Sequence, residues 1–160
     1  MLLGLLAILH TPSYALGNAL SRMINDMLKE ILRILLAVFV ITAGILHFAT
    51  PAPFVRIMPS YLPYHLELVY ISGCFEILGG IGLLLPPVSH AAAWGLIALF
   101  IAVFPANINM AINHIHLEGI PDSPFLYWAR LPLQLVLIAW AKWYTGDSKS
   151  FKKSEKRNLN

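Results

Sequence analysis

The chain contains four stretches that are each long and apolar enough to cross a bilayer, and they restrict its fold more than any other feature. They are residues 31–49 ("ILRILLAVFVITAGILHFA"), 67–85 ("ELVYISGCFEILGGIGLLL"), 91–112 ("AAAWGLIALFIAVFPANINMAI") and 125–144 ("FLYWARLPLQLVLIAWAKWY"). A membrane-crossing helix needs ~20 mostly apolar residues. In lipid every backbone polar group must be satisfied internally, so such stretches are helices. The connections "TPAPFVRIMPSYLP", "PPVSH" and "EGIPDSP" are proline-rich, and proline ends helices. The expected fold is therefore all-α, an integral membrane four-helix bundle. Composition agrees: 58% of the residues are hydrophobic and 12% charged, against ~45–50% and ~25% in a soluble domain.

The basic residues predict orientation. Arg22, Lys29 and Arg33 lie at or before the start of the first span, and Lys142, Lys149, Lys152, Lys153, Lys156 and Arg157 at the end of the fourth or beyond it. Only Arg56 and Arg130 remain for the other side. Four spans return the chain to the side where it began, and the positive-inside rule makes that side cytoplasmic. Both termini are then cytoplasmic in a multi-pass protein of the cell inner (plasma) membrane, and residues 51–63 and 113–124 face outward. Residues 27–145 form the four-helix domain, and 146–160 a basic, disordered, solvated tail. Residues 1–26 form an N-terminal extension for which three readings stand: a cleaved signal, an interfacial helix, or an addition upstream of a natural start at Met27.

Each span carries its polar and small residues on one face. At ~100° per residue, Arg33, Ala37, Val40, Gly44 and His47 fall on one stripe. So do Ser72, Glu76, Gly79 and Leu83 on the second span, with Gly73 close by. Asn107, Ala111 and His114 align on the third, and Arg130, Gln134, Leu137 and Ala141 on the fourth. Small residues let helices approach in lipid, and polar ones then bond across the contact. At a rise of ~1.5 Å per residue, His47, Asn107 and Arg130 fall roughly 3–8 Å below the outer end and Glu76 about 13 Å below it. An unpaired carboxylate at that depth costs several kcal/mol. Arg130 is its expected partner, with Asn107, Gln134 and His47 completing a polar core or a ligand pocket in the outer half of the bundle. A core of this kind fixes helix register; a pocket binds a small polar or quinone-like ligand or carries protons.

Other features carry less. "NHIHLEG" at 113–119 offers histidines for a metal only if the loop brings them together. His47 and His114 stand at similar depths, which would suit haem. "PAPFVRIMPSYLP" reads as an amphipathic outer cap in which Phe54, Ile57, Met58 and Tyr61 dip into the interface. The single cysteine, Cys74, reads as a packing residue, since a lone thiol builds neither a disulfide nor a thiolate cluster. "GGIGLLLP" lies inside a span and reads as packing, not phosphate binding. No site metal is expected, no cofactor is evident from the residues, and no nucleic-acid partner is implied.

Several motifs together resemble the DoxX family of small bacterial four-helix membrane proteins. They are "AGILHF" (43–48), "P.PFVRIMP..LP" (51–63), "LVYISGCFEILGGIGLL" (68–84), "AAWGLIALFIAVFPANI.M" (92–110) and "W.RLPLQ" (128–134). The resemblance spans residues 28–145. It implies a fold and a location first. It further implies an accessory subunit of a quinone-linked membrane redox system, with quinone as ligand and a redox protein as partner beside membrane lipid, in an assembly that admits oligomers. His47, Glu76, Asn107 and Arg130 stand in the matching motifs. The alternative is a non-catalytic membrane scaffold or assembly factor whose polar cluster is structural. Neither reading names a reaction.

The charge distribution generates one direct test. A reporter that works only outside the cytoplasm should be inactive when fused after Asn160 and active when inserted near Glu118; the reverse pattern would overturn the orientation.

Overall fold

The structure is a computed structural model and describes residues 2–116 and 123–146. Its helices run in the order α1 (Leu2–Ala49), α2 (Ala52–Arg56), α3 (His65–Leu84), α4 (Ser89–Ile112) and α5 (Pro124–Trp143), followed by a 3-10 turn at Tyr144–Gly146. No strand occurs among the described residues. Residues 117–122, which carry most of the connection between α4 and α5, lie outside that description. So does the basic tail expected over 146–160, from residue 147 onward.

Prolines set the boundaries. α1 stops at Ala49, two residues before Pro51, and α2 carries a proline in its first turn. Pro86 and Pro87 separate α3 from α4, and Pro124 opens α5. Proline fits the first turn of a helix because the N–H it lacks has no partner there. Tyr64, which precedes α3, takes the left-handed conformation at φ 55°. The expected spans agree with the helices to within a few residues, except at the beginning. There the helix of the first span continues back through the N-terminal extension to Leu2.

Three helical stretches are long and apolar enough to cross a membrane: Leu16–Ala49, His65–Leu84 and Ser89–Ile112. This is the mark of a membrane protein. The fourth expected span, α5, does not reach the same mean hydropathy, because Arg130, Gln134 and Lys142 dilute it.

Contacts divide the chain into two units between Ile34 and Leu35. In the first, Leu16, Leu20, Met23, Ile24 and Met27 are exposed, and Arg33 pairs with Glu30 one turn before it. The second holds the core. Leu36, Ala37 and Val40 of α1 meet Leu83 of α3, Ala93, Leu96, Ile97 and Phe100 of α4, Leu137 and Ala141 of α5, and Tyr144. A second cluster joins Ile57, Ala106, Met110, Ala111 and Tyr127. Outside, Phe75, Leu78, Trp94, Ile101, Leu133 and Val136 are exposed. Cys74 is exposed as well, so it faces away from the core and is not the packing residue expected.

Glycines set the spacing of α1 and α3. A Cβ placed on Gly44 would lie 2.6 Å from the Gly73 carbonyl oxygen, and one on Gly73 would lie 2.7 Å from His47 Cβ. The two backbones are in contact, as small residues permit in membrane helices. Gly44→Ala should therefore push α1 from α3 and destabilise by about 1–3 kcal/mol, the usual range for overpacking. Gly95 of α4 has nothing within 4 Å of an added Cβ, so Gly95→Ala should be neutral or stabilising by up to about 1 kcal/mol. Unfolding in detergent measures both; equal effects would contradict the close approach.

Candidate functional site

Gly44 and His47 lie three residues apart on α1, and Gly73 and Glu76 three apart on α3. Residues at that spacing share a helix face. The contact that the glycines allow therefore brings the two polar side chains together. His47 Nδ1 stands 3.2 Å from Glu76 Oε2 and 2.8 Å from the Ala43 carbonyl oxygen one turn back. The His47 ring stacks on Phe54, with centroids 3.9 Å apart and planes at 22°. Both side chains are buried.

A carbonyl oxygen only accepts, so Nδ1 carries a hydrogen and donates it to Ala43. Glu76 Oε2 is then close to Nδ1 without holding the proton, and it is buried without a hydrogen bond. The two groups stand within ion-pair distance, and the pair is ionic when the His47 ring is protonated.

The expected partnership of Glu76 with Arg130 does not form: Glu76 meets His47 instead. The ends of the apolar windows do not fix the register between two helices. The glycine contact does. Arg130 is half-buried, lines the same cavity, and makes no hydrogen bond or ion pair with any described residue.

Asn107 and Gln134 form a second polar link, between α4 and α5. Asn107 Nδ2 donates to Gln134 Oε1 at 3.1 Å, and Gln134 Nε2 donates to the Phe100 carbonyl at 2.8 Å. Pro105 lies one turn on in α4. It has no N–H to return to the Ile101 carbonyl, next in the chain to the Phe100 carbonyl that Gln134 meets.

His47, Glu76, Asn107, Arg130 and Gln134 all line one cavity of about 430 Å³. Its other walls are mainly apolar, from Phe39 and Val40 of α1, Leu99, Phe100 and Val103 of α4, and Leu137 of α5. Phe54 of α2 and Ile57, Met58 and Leu62 after it close one side. The expected cap is thus present with a different orientation. Phe54, Ile57 and Met58 turn into the protein, and only Tyr61 stays fully outside.

Hydrogen bonds hold that cap down. Asn109 Nδ2 donates to the carbonyls of Ile57 at 3.0 Å and Met58 at 3.3 Å. Arg56 Nη1 donates to the His116 carbonyl at 3.3 Å, and His65 Nε2 stands 3.1 Å from the Pro59 carbonyl. Sequence reasoning missed Asn109, although a second amide two residues after Asn107 in an apolar helix was a signal. His114 does not join Asn107. α4 ends at Ile112, and His114 is exposed in the left-handed conformation at φ 47°. It does not line the cavity with His47, which removes the paired-histidine arrangement that haem would need.

Fold and site together define an all-helical protein whose longest helices are fit to cross a membrane, with a cavity between helices where the polar side chains collect. The chain belongs to the DUF8561 family, described as a domain of unknown function, which matches residues 36–145. No curated protein and no solved structure matches it. The matched stretch begins one residue after the second unit does and contains every polar residue of the cavity.

A double-mutant cycle tests the pairing. His47→Gln and Glu76→Gln should couple by about 0.5–3 kcal/mol in detergent unfolding, as contacting residues do. Coupling between Glu76→Gln and Arg130→Gln should be smaller, and the opposite ranking would contradict the geometry.

Proposed function

We propose that the protein is a multi-pass inner-membrane protein of DoxX type that holds a quinone-class ligand between its helices, as the accessory subunit of a membrane redox system. In this reading α1, α3, α4 and α5 all cross the bilayer as a four-helix bundle, and both termini are cytoplasmic. α5 belongs among the spans because two of the residues that lower its hydropathy, Arg130 and Gln134, face the cavity. Its outer face carries exposed Leu133, Leu135 and Val136.

The cavity carries the proposal. A volume of about 430 Å³ lies within the range of roughly 300–1,000 Å³ typical of small-molecule sites. Mostly apolar walls with a few convergent polar groups suit a lipophilic ring with oxygen substituents. Such a ligand is carried to the site by the bilayer itself. The chain contributes no evident redox centre, so electrons come from a partner protein. The resemblance to DoxX proteins supplies the quinone and the partner.

One observation favours a scaffold instead. The chain from Asn107 through Gln134 to the Phe100 carbonyl is satisfied within the protein and ties α4 to α5. On that reading the polar residues fix helix register and the cavity is incidental.

Purification from native membranes in mild detergent, with mass spectrometry of the extracted lipids, separates the two. Near-stoichiometric prenyl quinone is expected with the wild-type protein. Val103→Phe places a larger side chain in the cavity wall and should remove most of it. A folded wild-type protein that carries no lipophile beyond bulk lipid would sink the ligand reading and favour the scaffold.

A further inference from the structure

Among the described residues three ionisable side chains line the cavity: His47, Glu76 and Arg130. His47 and Glu76 stand 3.2 Å apart. A bare carboxylate is costly in lipid, so the two hold a proton between them. Imidazolium beside carboxylate and imidazole beside carboxylic acid are both neutral as a pair. Arg130 is the charge left over, because a guanidinium keeps its proton in proteins. It makes no hydrogen bond or ion pair with any described residue.

The neighbours of Arg130 do not offset that charge. Gln134 lies one turn on along α5, and its amide is spent on Asn107 and the Phe100 carbonyl. The walls beyond are apolar, from Val40, Leu99, Phe100, Val103 and Leu137. Low-dielectric walls strengthen the pull of the guanidinium on an opposite charge. The cavity also reaches the outside of the helices. Phe39 of α1, Ile71 of α3 and Ala102 of α4 line it and are exposed. They belong to the apolar exterior, so a ligand that enters past them comes from the bilayer.

We infer that the cavity takes a membrane amphiphile with an acidic head, whose anionic oxygens pair with Arg130 and whose apolar tail lies along the walls. This requires the cavity to be a ligand site, as proposed above, but not that its ligand be a quinone; an acidic lipid and a neutral quinone would compete for the same space. A planar guanidinium meets a carboxylate or a phosphate through two parallel N–H···O bonds. A fatty-acid carboxylate and a lipid phosphate therefore share the chemistry. Glu76 does not repel either head while its pair with His47 is neutral. Either head also cancels the charge that the protein leaves on Arg130.

Titration calorimetry at neutral pH on the full-length protein in an uncharged maltoside detergent tests this, with decanoate, decyl phosphate, decanol and a decyl benzoquinone as probes. One or both acids should bind at least about tenfold more tightly than decanol, the gain expected of hydrogen bonds between charged groups. A lead for decanoate supports the inference with a fatty-acid head, and a lead for decyl phosphate supports it with a lipid phosphate. Arg130→Gln should remove the preference. Arg130→Lys keeps the charge and loses the fork, so it should retain only part of the preference, and it serves where Arg130→Gln does not fold. Val103→Phe fills the cavity and should weaken binding of the acids. A preference that survives Val103→Phe unchanged puts the anion on an outward-turned Arg130 at the bilayer surface and overturns the inference. Equal binding of decanol and both acids overturns it too; if the benzoquinone still binds, the quinone reading stands without it. Binding of no probe overturns both.

Discussion

The contact between Gly44 of α1 and Gly73 of α3 is the constraint on which the rest of the site depends. No Cβ fits at either position without meeting the opposite backbone or His47. His47 and Glu76 each follow their glycine by three residues, so both are carried onto the same interface. Their 3.2 Å approach results from the backbone contact. His47 is held there by Ala43 and Phe54, and it lines the cavity.

The rest of the architecture follows from an apolar exterior. Leucines, isoleucines and aromatic rings face outward, while a glutamate and a glutamine are buried. In lipid there is no water to satisfy those groups, so each must find a partner or a polar cavity. Gln134 solves this with Asn107 and a backbone carbonyl near Pro105. Among the described residues Arg130 has no such partner, and Glu76 Oε2 has only the approach of His47. A cavity bordered by an arginine that no described residue pairs differs from a register-fixing core, in which every member is satisfied. That contrast is why the ligand reading is preferred to the scaffold.

Much of the fold was legible because it is written in local signals. Prolines marked the ends of the helices, and the 3.6-residue period placed Ala37, Val40, Gly44 and His47 on one buried face. The same period put Glu76, Gln134, Leu137 and Ala141 inward. What was not legible depends on relations between elements. The partner of Glu76 is set by the register of α1 against α3, which neither helix encodes alone. Apolar Phe54, Ile57 and Met58 suit a cap that dips into lipid, but Asn109 anchors that segment over the cavity. His114 kept the helical spacing on paper, yet α4 ends two residues before it.

The central claim is that a lipophilic ligand occupies the space between the helices rather than their outer surface. Photolabelling with a diazirine-bearing benzoquinone, followed by peptide mapping, tests it most directly. The account predicts labels on the cavity walls, at Phe54, Met58, Leu99 and Val103, and competition by unlabelled quinone. Labels confined to outward-facing residues such as Phe75, Trp94 and Leu133, without competition, would contradict it.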